Sequence, residues 1–113
     1  MNIILDTSFL ITAVNFKVDI FENLKEICDF PYKLYILDKT LDELKGKKQE
    51  RLINQLIKDK VGIIATKEGK VDDLLVEQKD AIIATQDKLL KERLKNQKTR
   101  IITIRQKKYL RIE

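Results

Sequence analysis

With 113 residues, 43% hydrophobic and 36% charged, the chain has material for one globular core and none for a second. It has no histidine and one cysteine, Cys28, which excludes a Ser-His-Asp triad, a Cys-His pair, a histidine-rich zinc site and an internal disulfide. The net charge of +5 is uneven: residues 88–113 carry ten Lys and Arg against two acids, while residues 1–87 carry thirteen against sixteen.

No apolar run reaches the roughly 18 residues of a membrane span. The first residues lack the basic segment and apolar core of a signal peptide. Together with the lone cysteine, these features predict a cytoplasmic protein.

Taken in order, residues 3–5 form a short, continuously apolar run that predicts a strand, followed by a helix over 7–14. In 18–28, Ile20, Phe21, Leu24, Ile27 and Cys28 fall on one helical face, with Cys28 as a core residue. Residues 34–37 predict a second strand. Across 40–59, Leu41 and Leu44 precede Gly46, and Leu52, Ile53, Leu56 and Ile57 follow it, so a helix broken near Gly46 is expected. Residues 61–65 predict a third strand and 70–79 a helix. Residues 81–85 predict a fourth strand, 87–96 a helix and 101–104 a fifth strand. Runs that do not alternate with polar residues suit strands buried on both faces. Strands alternating with helices predict one α/β domain over 1–113, a parallel sheet between helical layers. Periodicity leaves the strand order open. The basic C-terminal segment suggests either a polyanionic partner or a solvated lysine-rich surface.

Asp6 directly follows the first apolar run and Asp87 follows the fourth by two residues. In a parallel sheet both lie at the carboxyl rim, where open α/β folds bind ligands. If the two strands were neighbours, the carboxylates would share a crevice and repel each other unless a cation or proton intervened. Oxygen-only ligands favour magnesium or manganese. Each acid also has an ordinary reading: Asp6 and Asp87 can cap the helices that follow, and Asp72 and Asp73 suit a helix's first turn. Glu43 can be an exposed helix residue.

Leu5-Asp6-Thr7-Ser8-Phe9-Leu10 resembles the opening motif of PIN domains: a strand ending in Asp, a hydroxyl pair, then an apolar helix. Leu41-Asp42-Glu43-Leu44 resembles the second motif, Val71-Asp72-Asp73-Leu74-Leu75 the third, and Ala84-Thr85-Gln86-Asp87 the fourth, of Thr-x-Asp form. All four stand in family order across nearly the whole chain. The Asp-Asp pair and Arg105-Gln106-Lys107-Lys108-Tyr109-Leu110 look closest to an archaeal branch akin to ribosomal-RNA-processing PIN proteins, with toxin-type PIN nucleases a more distant likeness.

The resemblance implies a three-layer Rossmann-like domain with a five-stranded parallel sheet ordered 3-2-1-4-5, which makes the first and fourth strands neighbours. It implies a metal-dependent endoribonuclease cutting single-stranded RNA with Mg2+ or Mn2+. Asp6, Glu43, Asp87 and one of Asp72 or Asp73 would be the acidic site, with Asp72 favoured by its spacing. Asp6, Asp87 and Asp72 would hold metal, while Ser8 and Thr85 would support them. Lys88, Lys91, Arg93, Lys95, Arg105, Lys107 and Lys108 are candidates for tracking the RNA backbone. One departure is that only five residues, 76–80, separate the Asp-Asp helix from the next strand, about one turn fewer than in relatives. The alternative is a non-catalytic PIN-like module that binds RNA or protein. Helical faces near 20–28 and 52–57 are candidates for sealing a homodimer, and an inhibitory protein partner is the other possibility.

Overall fold

The apolar run at residues 3–5 forms the centre of the sheet, which is why Ile3, Ile4 and Leu5 are all at most 1% exposed. The computed structural model describes residues 1–113. In chain order the elements are β1 (Asn2–Leu5), α1 (Thr7–Asn15), α2 (Ile20–Ile27), β2 (Lys33–Leu37), α3 (Asp38–Leu44) and α4 (Glu50–Ile57). Then come β3 (Gly62–Ile64), α5 (Val71–Val76), β4 (Ala81–Ala84), α6 (Lys88–Asn96), β5 (Ile101–Arg105) and β6 (Tyr109–Ile112).

One sheet of order β3-β2-β1-β4-β5-β6 joins all strands. The first five are parallel, in the order expected from the family resemblance, and β6 pairs antiparallel with β5. The expected five-stranded parallel sheet is therefore corrected to six strands, with an antiparallel edge. Tyr109-Leu110-Arg111-Ile112 alternates polar and apolar residues, and only Leu110 of the four is fully buried. That is the pattern of a half-covered edge strand rather than a basic tail. A second correction concerns β3. It is the opposite edge, with Gly62 and Ile63 exposed, so the run at 61–65 is not buried on both faces.

Alternate side chains of each central strand enter two cores. Ile3, Leu5, Ile82, Ala84, Ile102 and Ile104 join Phe9, Leu24 and Ile53 on the face covered by α1, α2 and α4. Ile4, Ile83 and Ile101 meet Leu74, Leu75, Leu90 and Leu94 from α5 and α6 on the other. Each such Ile or Leu contributes roughly 1.5–3 kcal/mol through burial. Both helical layers are thus needed to pin the register, since a slip of one residue would exchange the two cores.

The break near Gly46 is present. α3 ends at Leu44, and Gly46 follows in the left-handed region at φ 79°, which a glycine adopts without steric cost. Cys28 caps the end of α2 and packs half-buried against the first core, as expected. Ile20, Leu24, Ile53 and Ile57 are buried within the chain's own core, which uses much of the face considered for a dimer; Leu52 remains 56% exposed.

Candidate active site

β1 and β4 run side by side with Leu5 opposite Ala84, so the next residues, Asp6 and Thr85, adjoin at the carboxyl rim. The Asp6 amide donates to the Ala84 carbonyl at 2.8 Å and carries the pairing one step further. Asp6 is 5% exposed, and three donors hold its carboxylate. The Thr7 amide donates to Oδ1 at 2.8 Å, while the Ser8 and Thr85 hydroxyls donate to Oδ2 at 3.0 and 2.7 Å. The Ser8 hydroxyl also accepts from the Gln86 amide at 3.1 Å, and the Thr85 hydroxyl from the Asp87 amide at 3.1 Å. The Thr-x-Asp turn is thereby tied to the end of β1.

Asp87 caps α6, accepting from the Leu90 amide through Oδ1 at 3.0 Å. Asp6 likewise caps α1. Both aspartates therefore fulfil the capping role, and what marks them out is their company. Asp6, Glu43, Asp72 and Asp87 line one cleft of about 270 Å³, together with Thr7, Ser8, Ile11 and Lys47. Glu43 reaches the cleft from α3, and its Oε1 accepts from the Thr7 hydroxyl. Asp72 comes from the first turn of α5; a helix of only six residues still delivers it. Its neighbour Asp73 does not line the cleft and pairs instead with Arg93 of α6 at 2.9 Å. A larger cleft of about 330 Å³ opens at the opposite rim, but Asp80 is its one acid.

The electrostatics follow from burial and from like charge. Burial pushes the Asp6 carboxyl above its ordinary value, against the opposing pull of the Thr85, Ser8 and Thr7 donors. Asp72 is also raised, first by burial, then by the charges of Asp87 and Asp6. A carboxylate raised by burial and by its neighbours' charges marks a site that a proton or a cation would relieve. The donor set suits a hard ion, because every candidate ligand is oxygen and the second carboxylate oxygen of Asp87 accepts no hydrogen bond within the chain. No three of these acids lie close enough together to hold an ion as a set. The residues therefore fit a cation that uses one or two carboxylates and keeps water in its remaining positions, as magnesium commonly does.

The cations expected to follow RNA are placed in different settings. Lys91 turns inward: its ammonium donates to the Thr103 hydroxyl at 2.6 Å, and burial holds it below its ordinary value. Arg105 and Lys95 both pair with Glu113. The Lys107 ammonium lies over the Phe16 ring, 4.9 Å from its centroid. Lys88 and Lys108 are exposed and form no ion pair.

Two features of the rim escaped the sequence reading. Lys47 lines the acidic cleft yet makes no ion pair with any of its carboxylates. A cation four residues past Glu43, just beyond a helix-ending glycine, is the only local signal of it. Asp38, at the start of α3, accepts from both the amide and the hydroxyl of Thr66, at 3.1 and 2.6 Å. The Lys39 ammonium donates to the same hydroxyl at 2.8 Å. This clasp anchors the loop that leads from β3 to α5 and so to Asp72. Asp38 and Thr66 are 28 positions apart, and no motif links them.

An acidic cleft at the point where the strand order reverses, on the carboxyl rim of a mostly parallel sheet, defines a three-layer α/β domain with its candidate site at the switch point. The chain belongs to the PIN-like domain family, whose model matches residues 3–107. Among solved structures, the PIN domain endonuclease Utp24 is similar at 26% identity and a TM-score of 0.86, the match covering 99% of this chain and 90% of that one. No curated protein matches the sequence.

Proposed function

We propose that the chain is a metal-dependent endoribonuclease that hydrolyses phosphodiester bonds of single-stranded RNA, with Mg2+ or Mn2+ as cofactor. One observation carries this reading: four acids from four separated stretches of sequence, Asp6, Glu43, Asp72 and Asp87, line a single cleft in which Asp72 is raised first by burial and then by the charges of Asp87 and Asp6. The similarity to a PIN domain endonuclease supports it.

Asp6 and Asp87 would hold the ion directly, while Asp72 and Glu43, the latter bonded to the Thr7 hydroxyl, line the same cleft and would hold water bound to it. A divalent ion supplies activation of water and neutralisation of phosphoryl charge. Ser8 and Thr85 keep Asp6 oriented, since their hydroxyls both donate to Oδ2. Lys47 offers a cation to a phosphate that four carboxylates would otherwise repel. No helix is long and apolar enough to cross a membrane.

The test is incubation of the purified chain with a labelled single-stranded RNA in Mn2+, in Mg2+ and in EDTA, beside Asp6→Asn. Cleavage by the wild type in metal, lost in EDTA and in the variant, is the expected result. RNA retained uncut by the wild type in both metals would overturn the reading. It would favour a non-catalytic module that binds RNA or protein, for which the lack of any three acids close enough to hold an ion is the supporting observation.

A further inference from the structure

We propose that the open face of the β5–β6 hairpin is a docking surface for single-stranded nucleic acid, with Tyr109 as the platform for one base and Arg111 as a phosphate contact. The inference rests in part on the nuclease reading, because it names the surface along which that substrate would lie.

The even-numbered side chains Ile102, Ile104 and Leu110 point into the first core, toward α1 and α2. The odd-numbered ones must therefore point the other way. Contacts agree: Thr103 receives Lys91 of α6, and Glu113 pairs with Lys95 of α6. In the ladder Thr103 stands opposite Arg111, and Arg105 opposite Tyr109. Cross-strand neighbours share a face. α6 packs on β5, and on the neighbouring β6 Tyr109 is 41% exposed and Arg111 exposed without an ion pair.

Charge selects the occupant. Around this face stand Lys95, Arg105 and Arg111, and the one acid on the odd face of the hairpin, Glu113, pairs with the first two, which leaves a net positive charge and Arg111 without an ion pair. An exposed aromatic ring amid cations is the arrangement that takes an unstacked base together with its backbone. The residue before Asp87 of the acidic cleft reaches across to β5. The Gln86 side chain accepts from the Ile104 amide at 2.7 Å and from the Thr103 hydroxyl at 2.8 Å, and the next residue is Asp87. Lys107, held over Phe16 beside α1, belongs to the other side of the sheet.

Binding of a short fluorescein-labelled oligouridylate to the full chain in EDTA, followed by anisotropy at several salt concentrations, tests this without requiring cleavage. Tyr109→Ala and Tyr109→Leu should weaken binding about tenfold with the salt slope unchanged, because stacking releases no counterions, and Tyr109→Phe should bind as the wild type does. Arg111→Ala should lower the salt slope by about one contact. Lys107→Ala should change neither quantity. Wild-type affinity in both Tyr109→Leu and Arg111→Ala would overturn the proposal. So would an equal loss in Lys107→Ala, which would indicate bulk charge, or no oligonucleotide binding at all, which would leave the face to an acidic protein. A chain that binds here yet never cuts would sink the nuclease reading alone. A chain that cuts, with these variants binding normally, would sink this one alone.

Discussion

The hydroxyl of Thr85 donates a 2.7 Å hydrogen bond to Oδ2 of Asp6, joining the ends of two strands that are 79 positions apart in sequence. The same hydroxyl accepts from the Asp87 amide, so a single buried oxygen connects both rim aspartates. Thr85→Val keeps the shape and removes this oxygen. It leaves the Asp87 amide without its acceptor and Asp6 without one donor, at a cost of about 1–3 kcal/mol. Urea unfolding should register that loss, and RNA cleavage should fall at least tenfold. Thr85→Ser should recover most of both. A Val variant as active as the wild type would show that the hydroxyl does not position the site.

Asp72 and Asp73 are adjacent in sequence but opposite in role. Asp72→Asn removes an acid from the cleft, so Mn2+ affinity measured by titration calorimetry should drop and cleavage with it. Asp73→Asn removes only a partly exposed ion pair with Arg93, and stability should change by about 0–1 kcal/mol with metal affinity intact. The reverse pattern would reassign the fourth acid of the site to Asp73.

Lys47 faces the carboxylates without pairing to any of them, which leaves its charge available to a phosphate. Lys47→Met should raise KM for RNA more than it lowers kcat and reduce the salt slope of binding by about one contact. Lys47→Arg should restore both. The fold should be indifferent, because Lys47 is exposed. Kinetics unchanged in Lys47→Met would remove the residue from the substrate's path.

Asp38 has a carboxyl lowered from its ordinary 3.8, first by the Thr66 hydroxyl and then by the Thr66 amide. A lowered folded value means that the unfolded chain takes up the proton first. Asp38 therefore stabilises the fold at and above neutral pH, and that contribution fades as pH falls below 3.8 toward the folded value. Asp38→Ala should lower Tm near neutrality, and the gap from wild type should close in strong acid. A gap that stays constant with pH would mean that the clasp does not depend on the charge. The loop it anchors carries the chain to Asp72, so metal affinity should fall with Tm.

Much of this could be read before the fold was known, and the exceptions have a common cause. Asp6 and Asp87 each follow an apolar run, so local spacing puts them at strand ends. Gly46 marks its helix break because the left-handed conformation it adopts suits glycine best. β6 was missed because two buried residues in four, Leu110 and the partly buried Ile112, are a weak signal beside the basic turn that precedes them. Lys91 reads as a surface lysine on any helical pattern. Only the neighbouring β5 brings Thr103 to its ammonium.

The order of the first five strands and their helices, the absence of histidine chemistry and the positions of the acids along the chain are properties of the sequence alone, because periodicity and residue chemistry are local. The pairing of β1 with β4, the convergence of four acids on one cleft and the division of cations between pairs, core and open face were decided by tertiary structure. Each depends on which distant backbone a strand bonds to and which helix covers which face, and no window of neighbouring residues carries that information.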